Sequence, residues 1–240
     1  NSRLIMCDNK PKLTVMLTYN DRTVKNAAEL FRECRLGGVA PEVPMWGMKE
    51  VGIPFDEMKS LFCEMKECGG TTVLEVPAYG EKECIDGAKT AAKCGCDFLM
   101  GTLYYDSVNE ICRENGIKYM PYVGKVSGRP SVLDGERETM ISEAHEYLEK
   151  GVFGFDLLAY RYTKDAEKLI SDFTSNVNAP VCIAGSVNSF ARIDTVKKSG
   201  AFAFTVGAAF ADGVFAPNGT YCEQIESVLR YVRKNETRGR

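Results

Sequence analysis

The chain has 240 residues, of which 45% are hydrophobic and 26% are charged, with a formal net charge of -3 and a pI near 5.5. This composition is typical of a soluble globular protein with one barrel-sized domain or two smaller domains. The basic residues are spread along the sequence, which argues against nucleic acid or an anionic membrane as a partner. No apolar run approaches the roughly 18 residues of a membrane span, and the first six residues do not read as a signal peptide, so we expect a cytoplasmic protein.

The ten cysteines contain no C-x2-C spacing, and the single histidine is His145. These residues do not make a zinc site of the Cys/His type, and no metal ligands are predicted among them. Reduced cysteines that serve as small hydrophobic side chains are the expected state in the cytoplasm. Because His145 lies in a helical pattern, proton transfer would fall to Glu, Asp, Lys, Tyr or a thiol.

Short apolar runs alternate with amphipathic segments along the whole chain. In chain order the sequence predicts strand 12–18, a helix to about 34, strand 43–49, helix 54–68, strand 71–76, helix 81–94, strand 97–101, helix 107–115, strand 118–123, helix 136–150, strand 153–158, helix 163–175, apolar runs 181–186 and 203–209 with a helix-length segment between them, and helix 221–234. Asp21 or Thr23 is predicted to cap the first helix. The Gly/Ser/Pro-rich segment 124–135 is predicted to be a loop that serves as a lid.

Strands that alternate with helices form a parallel sheet, because each crossover returns the chain to the same end. Eight repeats indicate a closed sheet, and the first strand-to-helix turn, 18–22, lacks the glycines of a doubly wound fold. The sequence therefore predicts an α/β protein with a (β/α)8 TIM barrel. We expect a single domain over residues 1–240, with residues 1–11 as an N-terminal extension.

Two apolar runs near the carboxyl end each stop at a glycine followed by a small residue. They end in Gly185-Ser186 and in Gly207-Ala208. Such strand-to-helix turns leave backbone N–H groups without partners, and these groups bind anions. A (β/α)8 barrel holds phosphate at the turns after strands 7 and 8. The four residues are therefore predicted to bind the phosphate of a small phosphorylated metabolite.

The segment from Ala179 to Ala209, with its Ala-Gly-Ser and Val-Gly-Ala-Ala-Phe motifs, resembles the end of the ribulose-phosphate-binding barrels. This superfamily contains sugar-phosphate isomerases, epimerases, decarboxylases and related lyases, so the resemblance implies a phosphate site. The middle of the chain, residues 96–123, is similar in layout to the 2-keto-3-deoxy-6-phosphogluconate aldolases. Those aldolases carry a Schiff-base lysine on strand 6, where this chain has Asp156-Leu157-Leu158.

Three charged residues fall at the positions where barrels of this kind place catalytic groups, the carboxyl ends of strands. Lys49 follows the second strand and would form a Schiff base or, as an ammonium, stabilise an enediolate. Glu75 and Asp156 lie within apolar strands, where an unpaired charge is costly to bury. Asp156 would abstract the proton next to a carbonyl while Lys49 holds the oxyanion. Alternatively, Glu75 and Asp156 would be oxygen ligands of Mg²⁺, which stays open as a cofactor.

Loop residues supply further candidates. Lys125, Arg129 and Arg161 are predicted to contact a substrate carboxylate or phosphate, although loop charges are commonly just solvated. Asn20 and Asp21 are interpreted as turn and helix-cap residues. Trp46, the only tryptophan, is placed either at the barrel mouth near Lys49 or in the core or an interface.

The sequence thus favours a phosphosugar-type enzyme that acts on a small phosphorylated carbohydrate or keto acid through an enediolate. Isomerisation or epimerisation is the leading reaction. The alternatives are a lyase, either an aldolase or a decarboxylase, on a phosphorylated keto sugar acid, and a non-catalytic barrel that binds a phosphometabolite. A homodimer is the expected assembly, because barrels of this kind commonly form dimers.

Overall fold

The computed structural model describes residues 10–234, so the predicted extension over residues 1–11 falls mostly outside the described residues. Within them, eight parallel strands form the barrel: β1 Lys12–Met16, β2 Met45–Lys49, β3 Thr71–Val76, β4 Phe98–Gly101, β5 Lys118–Met120, β6 Phe155–Leu157, β7 Val181–Ile183 and β8 Ala203–Val206. The helices are α1 Ala27–Leu36, α2 Phe55–Glu67, α3 Glu81–Cys94, α4 Asp106–Glu114, α5 Arg137–Glu149, α6 Ala166–Asn176, α7 Phe190–Ser199, α8 Ala208–Ala211 and α9 Tyr221–Arg233.

The sheet has the strand order β6-β7-β8-β1-β2-β3-β4-β5 and is parallel throughout. Its two end strands, β5 and β6, are joined by hydrogen bonds from Phe153 N to Tyr119 O (2.9 Å) and from Asp156 N to Pro121 O (3.1 Å). These two bonds close the sheet into a barrel. The predicted single-domain (β/α)8 TIM barrel is therefore confirmed.

The inside of the barrel is apolar at the end where the strands begin. Seven buried side chains form a cluster there: Met45, Val73, Phe98, Met100, Met120, Cys182 and Ala203. Side chains alternate along a strand, so the inward face of β2 that carries Met45 also carries Lys49. The charged side chains of Lys49 and Glu75 enter the interior towards the carboxyl ends of the strands, which we call the barrel mouth.

Trp46 lies on the opposite face of β2. Its ring packs edge-on against Phe31 of α1 at 5.0 Å between centroids, and its Nε1 donates to Ala40 O at 3.3 Å. It is fully buried between sheet and helix. Of the two predicted positions, the core is correct and the barrel mouth is wrong, because the alternation of the strand turns Trp46 away from Lys49.

The predicted helix cap near Asp21 or Thr23 is wrong, since α1 begins at Ala27 after Asn26. The hydroxyl of Thr23 instead donates to Lys49 O at 2.8 Å and accepts from Lys49 N at 2.9 Å. This pair of bonds ties the β1–α1 loop to the end of β2. The loop is therefore used to build the barrel mouth, and the helix starts later.

Residues 124–135, predicted as a loop, contain a two-stranded antiparallel ribbon, Lys125–Ser127 with Val132–Asp134. We call this segment the mouth hairpin. Tyr79, at the end of β3, donates its hydroxyl to Gly128 O at 2.7 Å, which holds the hairpin across the barrel mouth. None of the helices within residues 10–234 is both long and apolar enough to span a membrane.

Candidate active site

Lys49 and Glu75 form the centre of the site because β2 and β3 are neighbours in register. Lys49 pairs with Glu75 in the ladder, and both side chains point into the barrel. Lys49 Nζ lies 2.7 Å from Glu75 Oε1, and each residue is only 4% exposed. Tyr122 donates its hydroxyl to the same Glu75 oxygen at 3.3 Å. Two of the three predicted catalytic residues are thus joined in a buried ion pair.

Asp21, which the sequence analysis had interpreted as a turn or cap residue, also belongs to the site. Its Oδ1 lies 3.7 Å from Lys49 Nζ and 3.4 Å from Arg161 Nη2. Its Oδ2 accepts from the backbone N–H of Ser131 in the mouth hairpin at 2.8 Å. Burial would raise the pKa of Asp21, but the charges of Lys49 and Arg161 and the bonds from Ser131 outweigh it and hold the pKa below 3.8.

The charge state of Lys49 follows from these neighbours. Burial would lower the pKa of Lys49, but the carboxylates of Glu75 and Asp21 outweigh burial and raise the pKa above 10.5. The side chain is therefore an ammonium at neutral pH. A Schiff base needs the neutral amine, so the geometry favours Lys49 as the group that stabilises an oxyanion.

Asp156 is buried in the barrel interior next to the ion pair and is 1% exposed. Neither of its carboxylate oxygens has a hydrogen-bond partner among residues 10–234. Burial and the charge of Glu75 raise the pKa of Asp156 well above 3.8, against the opposing effect of Lys49. This burial disfavours the ionised form of Asp156, which is the form that the predicted proton-accepting role needs.

A cavity of about 270 Å³ lies at the barrel mouth and brings the predicted residues together. Its walls include, from the predictions, Lys49, Glu75, Arg161, Gly185, Ser186, Gly207 and Ala208. Asp156 is not part of the wall. The cavity therefore places the ion pair and both glycine turns around one space.

The turn after β7 has a backbone that only certain residues adopt. Gly185 has φ +77° and Ser186 has φ +66°, both in the left-handed region. A Cβ on Gly185 would lie 2.7 Å from Arg161 Cγ, so the glycine also lets that arginine approach. The N–H groups of Gly185, Ser186 and Ala208 donate to no acceptor within residues 10–234. They are available to an anion in the cavity.

The three predicted loop cations have different positions. Arg161 lines the cavity, and its Nε has no acceptor among the described residues. Arg129 lies in the turn of the mouth hairpin, where it donates to the backbone oxygen of Asp21 and to Glu50. Lys125 lies in a separate surface pocket on the far side of the hairpin. Arg161 alone among the three is placed to touch a ligand of the cavity.

Tyr19 and Asp212 are further wall residues that the sequence analysis did not select. The Tyr19 hydroxyl donates to Asp212 Oδ1 at 3.1 Å across the cavity rim. Asp212 follows the short helix after β8, and Tyr19 follows β1, so both obey the rule that βα loops carry the site. The rule could have identified Tyr19 and Asp21 from the sequence, because both follow β1 closely. It could not have singled out Asp212, which lies after the short helix that follows β8.

No three His, Cys, Asp or Glu side chains within residues 10–234 are grouped so that they could hold a metal ion. Glu75, one of the two predicted Mg²⁺ ligands, is paired with the Lys49 ammonium, and Asp156, the other, does not line the cavity. Mg²⁺ needs several oxygen ligands in near-octahedral geometry. These residues do not fit Mg²⁺, and the chemistry below uses the side chains alone.

No protein-family model matches the sequence, and no curated protein sequence matches it either. Among solved structures, the chain is similar to orotidine 5'-phosphate decarboxylase from Pyrococcus horikoshii OT3, with a TM-score of 0.66 and 14% identity over 93% of this chain and 100% of that one. It is also similar to N-acetylmannosamine-6-phosphate 2-epimerase from Clostridium perfringens, with a TM-score of 0.58 and 13% identity over 96% and 98% of the two chains.

A third similar structure is N-(5'-phosphoribosyl)anthranilate isomerase from Pyrococcus furiosus, with a TM-score of 0.61 and 11% identity over 93% of this chain and 98% of that one. These structures are ribulose-phosphate-binding barrels. This chain has the same fold as these structures. The architecture that the resemblance in the sequence implies is therefore confirmed. Their names describe a decarboxylase, an epimerase and an isomerase, each acting on a phosphorylated compound.

Proposed function

We propose that this chain is an isomerase or epimerase that acts on a small phosphorylated carbohydrate or keto acid through an enediolate. The observation that carries the proposal is the single cavity whose wall contains both the Lys49–Glu75 ion pair and the turns at Gly185 and Gly207. Phosphate binding and proton transfer next to a carbonyl are the two operations that such a reaction needs.

The phosphate is assigned to the two glycine turns. The N–H groups of Gly185, Ser186 and Ala208 have no acceptor within residues 10–234, and backbone N–H groups at such turns bind anions. Arg161 packs against Gly185 and supplies a positive charge beside the same turn. This anchor would fix the ligand so that its carbonyl end reaches the ion pair.

Lys49 and Glu75 divide the chemistry between them. Glu75 takes the proton from the carbon next to the substrate carbonyl, and the electron pair of that C–H bond moves to the carbonyl oxygen. The Lys49 ammonium stabilises the oxyanion that forms. A solvent proton added to the opposite face of the same carbon, with the proton on Glu75 released to solvent, gives an epimer. Return of the Glu75 proton to the former carbonyl carbon, with the neighbouring hydroxyl proton passing to the oxyanion, gives an isomer. Glu75 replaces Asp156 as the proton acceptor, because Glu75 lines the cavity.

A lyase is the second candidate, because cleavage of a carbon–carbon bond passes through the same enolate. The cationic state of Lys49 supports cleavage that depends on oxyanion stabilisation and does not support cleavage through a Schiff base.

Incubation with ribulose 5-phosphate in D₂O, followed by NMR, tests the proposal. Deuterium incorporated next to the carbonyl with the carbon skeleton intact supports an isomerase or epimerase, whereas fragmentation of the skeleton supports the lyase. Glu75→Gln should slow the deuterium exchange by about 10²–10⁴-fold. The same variant should bind inorganic phosphate with the affinity of the unmodified chain. Phosphate binding with no exchange on any sugar phosphate tested would contradict the proposal and leave a non-catalytic phosphometabolite-binding barrel.

A further inference from the structure

We infer that the substrate carries no anionic group besides its phosphate, so that it is a polyhydroxy aldehyde or ketone monophosphate and not a phosphorylated keto acid. This inference rests on the proposed function and narrows it. Two cations and three carboxylates belong to its wall: Lys49, Arg161, Asp21, Glu75 and Asp212.

Neither cation of the wall is left for a substrate carboxylate. Lys49 is held by Glu75 at 2.7 Å and by Asp21 at 3.7 Å. Arg161 shares Asp21 at 3.4 Å and lies against the glycine turn to which the phosphate is assigned. A second anion would have to displace one of these buried carboxylates from its partner, and a buried carboxylate without a partner is strongly unfavourable.

The loop cations do not supply the missing charge. Arg129, in the turn of the mouth hairpin, is engaged by Glu50 and by the backbone oxygen of Asp21. Lys125 belongs to a different pocket, on the other side of the hairpin. Two of the three loop residues that were predicted to contact a substrate carboxylate or phosphate are therefore not part of the cavity wall.

The three carboxylates of the wall favour a ligand that donates hydrogen bonds. A carboxylate accepts hydrogen bonds from hydroxyl groups and repels another carboxylate. Asp212 faces the cavity with only the neutral hydroxyl of Tyr19 as its hydrogen-bond donor among the described residues. The hydroxyl groups of a sugar fit this surface, whereas the carboxylate of a keto acid would meet a wall whose own carboxylates outnumber its cations.

Calorimetric titration with two phosphates of equal carbon number tests the inference. Fructose 6-phosphate carries only the phosphate charge, and 2-keto-3-deoxy-6-phosphogluconate carries a carboxylate in addition. We expect the sugar phosphate to bind the unmodified chain at least ten-fold more tightly. In Asp212→Asn the preference should shrink by three-fold or more, because one repelling charge is removed. The control is Asp86→Asn, an exposed side chain of α3 outside the cavity, which should leave the preference unchanged.

The outcomes separate this inference from the proposed function. If the keto acid binds as tightly as the sugar phosphate or more tightly, the inference on the substrate is wrong while the phosphate site stands. If neither compound binds and inorganic phosphate does not bind either, the proposed function fails and this inference fails with it. An unchanged preference in Asp212→Asn would show that charge repulsion is not its cause, which also overturns the inference.

Discussion

Replacement of Lys49 by methionine removes the cation that balances the buried carboxylates of the barrel mouth. In a medium of effective dielectric constant near 20, the attraction of Lys49 is about 6 kcal/mol for Glu75 at 2.7 Å and about 4 kcal/mol for Asp21 at 3.7 Å, before the cost of burying the charges. Loss of one partner of a buried pair typically destabilises by about 3–5 kcal/mol. We expect Lys49→Met to lower the free energy of unfolding by about 3–5 kcal/mol at neutral pH.

Urea denaturation followed by the fluorescence of Trp46, which is fully buried, measures this change. Lys125→Met, outside the cavity, is the matched control and should change the free energy of unfolding by less than about 0.5 kcal/mol.

The pH dependence gives a second criterion. The pKa of Asp156 is raised in the folded state and would rise further without Lys49, so its contribution to stability is present below about pH 3.8 and is lost as the pH rises. The deficit of Lys49→Met should therefore shrink towards acid pH. A loss below about 1 kcal/mol, or a deficit that does not depend on pH, would refute the assignment of Lys49 as the counter-ion of buried carboxylates.

Three further predictions concern the rest of the site. Gly185→Ala should destabilise by about 1–3 kcal/mol and weaken phosphate binding, whereas Gly200→Ala, with a similar φ of +71° but open space around it, should cost about 1–2 kcal/mol and leave phosphate affinity unchanged by calorimetry. Asp156→Asn should be more stable than the unmodified chain at pH 9, with the difference vanishing towards pH 4, because an amide does not titrate; equal melting curves at pH 9 would contradict this. Asp21→Asn should loosen the mouth hairpin, seen as faster tryptic cleavage within residues 124–135, and unchanged cleavage would show that Asp21 does not hold it.

The alternation of strands and helices was readable from the sequence because each element is marked locally. Apolar runs of strand length, glycines after helices and a proline before α2 do not depend on distant contacts. The start of α1 was missed for the opposite reason. Thr23 is bound to Lys49, 26 residues away, and no local pattern records such a contact.

The catalytic candidates were found by a rule about strand ends, but their roles were not. Glu75 and Asp156 have the same signature, a carboxylate inside an apolar strand, so the sequence cannot tell which one faces the cavity. The answer depends on how far the strands are shifted against one another in the closed barrel. That shift places Glu75 beside Lys49 in the cavity wall and leaves Asp156 without a hydrogen-bond donor among residues 10–234.

The junction between β5 and β6 depends on two main-chain hydrogen bonds, and Asp156 donates one of them. Two strands joined by two hydrogen bonds separate more readily than two strands joined by a full ladder. The barrel is therefore expected to open first at this junction. Each opening would admit water to a carboxyl group that has no hydrogen-bond partner among residues 10–234. Amide hydrogen exchange at Phe153 and Asp156 would report the pace of that opening.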